Sequence, residues 1–598
     1  DLCCANDAPW GAFSRGGGAG PGPAPYLLGY HVGEIPLPTI NDPSDTLKVQ
    51  VKGAEGLADA HKPVGVFFGP WVGTYGTVEV ARFRPDLAAP DNFIAAAVHR
   101  FGRKLKPGRR AVRRRFLAFS KAFIKKHFPV APADSDCSFD SWIPNTSYSK
   151  EEARHLASLW SEPLLTGGDL ENEFFLKCES YDVPKFPRGI NSFSDRAKVV
   201  CGPIQHVLDE AIFSLRWSVK KMDVAQRPLK LQEKFGDRKV SATDVSSMEA
   251  HFEKEFADVR VFWKEWVGQN LSQMRKYREI IKQKSKGRNV CRSRKVIVEI
   301  MERLMSGDCS TSSDNFVLNI CMTFFLAAQT KYPDLSVEEQ VDRVVDEVEA
   351  FFEGDDGIFD QVLIEQDLID ALGVDLKIEH HDHFADVSFC GIKADKDCLV
   401  NLTNPLKVLA DFALLDPKYI MYSASKKTDL LRAKAMSYAH QYGSCPVVSA
   451  FAHYVLRSTR GRDVRWTLRE GDAYQRAALA KAMKAYMIRG EISELSRAVV
   501  ARSWGVTPEQ QIAAERLFDS LDELQPVSPQ LPFPEAWRAH AESYVVRDYW
   551  DGYLFPKDHP VPIVQALRDQ GHRVRVPRVQ FAMNWHEDMG YYSSLPPA

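Results

Sequence analysis

The chain has 598 residues, with 77 basic and 79 acidic side chains and a formal net charge of −2. That length exceeds one ordinary domain and allows several cores. Near-neutrality excludes binding of nucleic acid through global basicity alone. The 11 cysteines, at irregular spacings, exclude a disulfide framework or a Cys-x-x-Cys zinc site and fit a reducing cytoplasm.

The chain opens Asp1-Leu2-Cys3-Cys4, without Met and without the basic segment and apolar run of a signal peptide. A trimmed sequence and the downstream part of a longer translation product both accord with that opening. Residues 12–25 are Gly/Pro-rich and expected to be flexible. Residues 26–90 read as short strands and loops. Between Arg100 and Lys126 lie Arg103, Lys104, Lys106, Arg109, Arg110, Arg113, Arg114, Arg115, Lys121 and Lys125, and no acidic residue. A second basic stretch covers residues 275–295. Such runs are commonly solvated faces; interleaved Phe, Tyr and Val also suit a phosphate-binding groove, and both readings stay open.

Residues 150–159 read as a helix with Ser149 as its N-cap. Residues 316–328 are too short an apolar run to span a bilayer, which takes ~18–20 residues, and read as a buried helix. Residues 336–352 read as one amphipathic helix with Val337, Val341, Val344, Val345, Val348 and Phe351 as its buried stripe. From Pro405 to about Leu521 the chain reads as mostly helical; the last seventy residues, rich in Pro and aromatics, show no assignable pattern. There is no internal repeat and no coiled coil.

Two segments carry chemistry as a pair. Ser306-Gly307, Thr311 and Asn315 precede Gly354-Asp355-Asp356, which lies between two apolar runs. Gly-Asp-Asp alone also reads as an acidic surface turn. At a hairpin tip its two carboxylates can hold Mg²⁺. Asn315, a helical spacing of four after Thr311, can present an amide to a sugar hydroxyl. Upstream, Asp244 and Glu249 add carboxylates; Asp244 by itself would equally read as a helix N-cap.

This pattern resembles the palm of viral RNA-dependent RNA polymerases, more specifically those of positive-strand RNA viruses of the tombusvirus-like and nodavirus-like group, over about residues 130–460. Asp244 and Glu249 fall in the family's motif A, Ser306 to Asn315 in motif B, and Gly354-Asp355-Asp356 in motif C. Lys377 falls in motif D and Phe389-Cys390-Gly391-Ile392 in motif E. Lys177, Lys185, Pro187-Arg188 and Ile190 match motif F. Glu249 stands where many members have Asp. The Ser138-Phe139-Asp140-Ser141-Trp142 stretch is similar to the amino-terminal fingers of these enzymes.

The resemblance implies an α+β, right-hand palm-type fold of fingers, palm and thumb, its palm a small antiparallel sheet backed by helices and its thumb largely helical. The implied divisions are an N-terminal extension with the basic stretch (1–130), fingers and first palm helices (131–240), motif A (241–256), a fingers insertion (257–300), motifs B to E (301–402), and thumb with C-terminal tail (403–598). The implied activity is RNA-directed RNA synthesis, a nucleotidyl transfer that replicates and transcribes a positive-strand viral genome. Two Mg²⁺ or Mn²⁺ ions about 3.5–4 Å apart would be held by Asp244, Asp355 and Asp356. Lys377 would act as general acid toward pyrophosphate. Glu249 and Asn315 would select the ribose, Thr311 would complete that pocket, and Ser306 and Gly307 would form a changeable loop beside the template. Lys177, Lys185 and Arg188 would meet the triphosphate, Arg188 with a bidentate fork.

Implied partners are template and nascent RNA and ribonucleoside triphosphates. The implied place is the host cytoplasm, in replication complexes held to membranes through an upstream segment or another viral protein. A reverse transcriptase and a non-catalytic RNA-binding relative are the alternatives; Gly354 and Asn315 favour RNA synthesis, and the full set of carboxylates favours catalysis. Glu379-His380-His381-Asp382-His383 could instead suggest zinc, but the ligands are too tightly spaced for a closed site. Cys390 reads as a packing residue.

Overall fold

The Val240–Val245 strand is paired on both sides. Asp356–Asp360 runs antiparallel along one edge, with Gly357 opposite Thr243 and Asp360 opposite Val240. Leu376–His381 runs antiparallel along the other, with Lys377 opposite Asp244. Ala350–Glu353 closes a hairpin with Asp356–Asp360 and completes a four-stranded sheet. The computed structural model describes most of residues 90–524, apart from 103–104, 147, 149, 161–166, 178–185, 294–295, 398, 413, 416–421, 470–478 and 485–488. Outside that range it describes residue 532 and the backbone of short strands at 26–27, 29–30, 47–51, 65–67, 84–85 and 573–575. The Gly/Pro-rich stretch 12–25, the Ser149 cap and most of the last seventy residues lie outside the described residues.

Each strand alternates its side chains between two faces. Val245, Phe352, Phe359 and Leu376 join a large core with the helices Asp195–Phe213, Glu255–Val267 and Thr311–Lys331. On the other face Val240, Phe351 and Ile358 pack against Phe384, Val387 and Phe389. Asp244, Asp355 and Asp356 are solvent-exposed at one end of this sheet.

Thr311–Lys331 contains the apolar run 316–328 as a buried helix, as the sequence suggests. It is apolar nearly all round because the sheet and several helices surround it. The single helix expected over 336–352 is instead a helix and a strand. Ser336 and Glu339 form a reciprocal cap, and the helix covers Val337–Glu347. Val348 is already extended, and Ala350–Glu353 pairs with Asp356–Asp360. Val341, Val344 and Val345 enter the large core, whereas Phe351 enters the smaller core on the other face of the sheet. A β-branched and aromatic run beside a tight turn satisfies either periodicity; strand pairing decides it.

The first basic stretch is largely a core helix. Arg110–His127 buries Phe116, Phe119, Phe123 and Ile124. Phe116 meets Phe256 and Phe325, with ring centroids 5.0 and 5.5 Å apart. Arg113 is buried, donates to the Leu372 carbonyl at 3.1 Å and lies over the Phe256 ring. Arg115 donates to the Leu335 carbonyl at 2.7 Å. These two cations fasten elements together, whereas Arg110 and Arg114 remain exposed. In the second stretch, buried Lys284 donates to Asn172 Oδ1 at 2.8 Å, and Arg278 pairs with Glu265 at 2.9 Å.

A second sheet has six strands in the order Arg573–Arg575, Leu47–Val51, Val296–Met301, Arg288–Arg292, Asn172–Leu176, Gly189–Phe193. The Pro90–Arg100 helix packs against it through Phe93 and Ala97, and the Phe101 that follows joins the same core. Beyond residue 400, the helices Ala424–Gln441, Val448–Ser458, Glu494–Trp504 and Pro508–Ser520 share a separate apolar core, as the helical reading of 405–521 expects. No described helix is long and apolar enough to cross a membrane.

Candidate active site

The site forms where the four-stranded sheet ends. Gly354 and Asp355 make the two-residue turn between Glu353 and Asp356. Gly354 takes φ +63°, the left-handed conformation that the first central residue of a tight hairpin turn demands. Asp355 sits at the tip and Asp356 begins the return strand. One step beyond the Gly357–Thr243 pair, the antiparallel register sets Asp356 opposite Asp244. Lys377 lies opposite Asp244 on the far side. Glu353, Asp356, Asp244 and Lys377 thus form a row across four strands. Asp244 lies in a strand, which removes the helix-cap reading.

The row is electrostatically crowded. Desolvation by surrounding protein, then the charges of Asp355, Glu353 and Asp244, push the Asp356 carboxyl up to about 7, although part of the residue stays open to solvent. Arg227 opposes the shift, and it pairs with Glu353 Oε2 at 2.6 Å. Lys377 pairs with Glu379, which together with Asp244 holds its ammonium above the ordinary lysine value. The donors are hard carboxylate oxygens of the kind Mg²⁺ and Mn²⁺ take, and the excess negative charge suits a divalent cation. Among the described residues, no group of three or more His, Cys, Asp or Glu side chains stands at ion-gripping distance, so the set is a neighbourhood rather than a formed cage.

The raised carboxyl has a testable consequence in metal-free protein. A folded-state value above the unfolded 3.8 means that the folded protein holds the proton more tightly. Stability contributed by this group is therefore present at low pH and lost as pH rises through about 7. In EDTA, Asp356→Asn is expected to raise the thermal midpoint at pH 8 and leave it unchanged at pH 4. A midpoint that falls at pH 8 would contradict the crowding.

A residue that the motif reading passed over positions the turn. Asn319, fully buried, donates from Nδ2 to the Asp355 carbonyl at 2.8 Å and to the Gly354 carbonyl at 3.4 Å. Its signal in the sequence is an amide inside an apolar helical run, four residues after Asn315. Asn319→Leu keeps the volume and removes the tether. Faster hydrogen exchange of the backbone amides in this turn is therefore expected, and unchanged exchange would remove the role.

Other expected residues divide between exposed and structural places. Ser306 accepts from the Asn191 amide at 2.5 Å, which ties its loop to the strand after Arg188. Gly307 takes φ +106°, and a Cβ there would meet Ile190 Cγ2 at 2.8 Å, so only glycine fits. Thr311 spends its hydroxyl inside the loop, donating to the Asp308 carbonyl at 2.8 Å and accepting from Gly307 N at 3.2 Å. It shapes the loop. Asn315 is half-buried, and its Oδ1 has no hydrogen-bond partner. Glu249 is buried in the Met248–His251 turn and pairs with Arg100 at 2.9 Å. Lys177 and Arg188 adjoin at the mouth of a hairpin, Lys177 N donating to Arg188 O at 2.8 Å, with Arg188 exposed. Lys185 lies outside the described residues.

Beneath the loop lies a buried charge cluster. Arg260 pairs with Asp308 and Asp314, each at 2.6 Å, and Lys264 with Asp314 at 2.9 Å. Trp263 Nε1 donates to Asp314 at 2.9 Å. Burial alone would raise the Asp308 carboxyl, but Arg260, Lys264 and Lys284 hold it below the ordinary range. Buried His251 accepts from Asp375 N at 2.9 Å through Nε2, while Nδ1 faces the Ser247 carbonyl at 3.2 Å. It fastens the turn after Asp244 to the strand of Lys377.

The histidine cluster disperses. His380 meets Ser241 Oγ at 2.8 Å, and His383 accepts from Ala385 N at 3.0 Å. Cys390 is largely buried, its thiol raised well above the ordinary value by desolvation, and Sγ contacts Glu353 Oε2 at 3.4 Å. It is a packing residue in a tight turn, not a thiolate nucleophile.

No family model matches the chain, and no curated protein matches it. Among solved structures, the chain is similar to an insertion-loop deletion mutant of the RNA-dependent RNA polymerase of a human picobirnavirus, at 12% identity and a TM-score of 0.39. The match covers 56% of this chain and 64% of that one, so it spans less than two thirds of the polymerase's length.

Proposed function

We propose that this chain is an RNA-directed RNA polymerase, a nucleotidyltransferase of a positive-strand RNA virus in the tombusvirus-like and nodavirus-like group. The observation that carries the reading is the register that sets Asp356 beside Asp244, with Asp355 at the adjoining turn and Lys377 across from Asp244. Two strands distant in sequence converge their carboxylates at one exposed sheet end, and the sheet is backed by the helix bearing Asn315.

Asp244, Asp355 and Asp356 would hold two Mg²⁺ or Mn²⁺ ions, which supply charge neutralisation for the attacking 3′-oxygen and the leaving pyrophosphate. Asn319 keeps the Asp355 turn in place. Lys377, kept protonated by Glu379 and Asp244, is poised to give a proton to the leaving group. Glu249 and Asn315 offer hydrogen-bonding groups to the ribose hydroxyls. Lys177 and Arg188 offer cations to the triphosphate.

The test is extension of a short RNA primer on an RNA template with Mg²⁺, supplied first with four ribonucleotides and then with four deoxyribonucleotides. Extension with ribonucleotides supports the proposal. Preferred extension with deoxyribonucleotides would favour a reverse transcriptase, and RNA binding without extension a non-catalytic relative.

A further inference from the structure

Glu249 carries its carboxylate on a longer arm than aspartate would. An extra methylene adds a torsion, so the backbone alone does not fix where the carboxylate ends. The turn that carries it is held at one point by its own main chain: Leu304 N donates to the Glu249 carbonyl at 3.3 Å, just ahead of the Ser306-Gly307 loop. The side chain is held at a second point. Arg100 Nε lies 2.9 Å from Glu249 Oε1, and the two side chains are 21% and 10% exposed. This contact ties the Arg100 guanidinium to a Glu249 carboxylate oxygen and so restrains where the carboxylate ends.

Arg100 ends the Pro90–Arg100 helix, far upstream of the motifs. The preceding residue, His99, packs its ring on Phe186 with centroids 4.9 Å apart, and Phe186 leads into Pro187-Arg188. One helix end therefore contacts both the segment offered to the triphosphate and the carboxylate offered to the sugar.

We propose that Arg100 is a positioning residue that sets the preference for ribonucleotides by fixing the Glu249 carboxylate. The inference rests on the polymerase reading. Arg100 restrains the carboxylate for the ribose 2′-hydroxyl and has no reason to affect a substrate that lacks that hydroxyl.

The experiment measures kcat/KM for matched ribo- and deoxyribonucleotides with the full chain, on one primer–template, for wild type, Arg100→Gln, Arg100→Lys, Glu249→Gln and the Arg100→Gln/Glu249→Gln double variant. Arg100→Gln is expected to lower the ribo/deoxy ratio about tenfold, about 1.4 kcal/mol, through a higher ribonucleotide KM with kcat little changed. Arg100→Lys keeps the charge but not the geometry and should recover part of the ratio. In the Glu249→Gln background, removing Arg100 should change the ratio no further, because its effect passes through that carboxylate. A ratio unchanged in Arg100→Gln, or equal losses for both sugars, would overturn the proposal and leave the polymerase reading standing. A wild-type protein with no templated incorporation would overturn both.

Discussion

Asp355→Ala is expected to remove templated incorporation, by ~10⁴-fold or more as for other groups that act as a unit at the reacting centre, while leaving the fold and RNA affinity nearly intact. The separation follows from place. Asp355 is exposed at a hairpin tip, and the Asn319 bond that holds the turn goes to its backbone carbonyl, which alanine retains. Replacing an exposed turn side chain away from a packed core changes stability by about 0.5 kcal/mol or less. Lys177 and Arg188 lie on a different hairpin, so phosphate contacts should survive. Incorporation, RNA binding and thermal midpoint measured on one preparation check this. Robust synthesis by the variant would remove Asp355 from the reacting centre; collapse of the fold would make its role structural.

Asp314→Asn should act through stability. Asp314 shares a buried cluster in which Arg260 and Lys264 face Asp308 and Asp314, two cations against two carboxylates. Taking one carboxylate away strands a buried cation, which costs ~3–5 kcal/mol. Removing a cation with it restores the balance, so the Asp314→Asn/Lys264→Met pair should be clearly less destabilised than the two single losses added together. Denaturation of the four proteins measures this. Strict additivity would mean that the cluster is not a charge-balanced unit. The cluster adjoins Ser310 and so anchors the end of the loop that carries Ser306 and Gly307, where the Thr311–Lys331 helix begins.

What could be read from the sequence, and what could not, follows from range. Gly354-Asp355-Asp356 is legible because a turn residue, its carboxylates and the flanking apolar runs are adjacent in sequence. The buried Phe316 run is legible because one helix carries it. The split of 336–352 was hidden: Val348 and Phe351 fit a helical stripe, and only pairing with Asp356–Asp360 reveals a strand. The basic helix reads as a solvated or phosphate-binding face because composition does not show that Arg113 ends over the Phe256 ring and bonded to the Leu372 carbonyl. Arg100, Arg227 and Arg260 were invisible for the same reason. Each meets a carboxylate from another part of the chain, and a lone arginine in a helix carries no mark of its partner. Thr311 begins its helix, and its hydroxyl serves the loop, a bond that its spacing to Asn315 does not reveal.

The Asp244, Asp355 and Asp356 carboxylates are proposed to serve template-directed RNA synthesis. The most direct test of this proposal is incorporation by the full chain on the four homopolymeric RNA templates, each offered all four ribonucleotides with Mg²⁺. The expected result is that each template draws its complementary ribonucleotide, that EDTA stops the reaction, and that Asp355→Ala prepared in the same way shows none. Incorporation that ignores the template, or no incorporation by the wild-type chain under conditions where it binds RNA, would contradict the account.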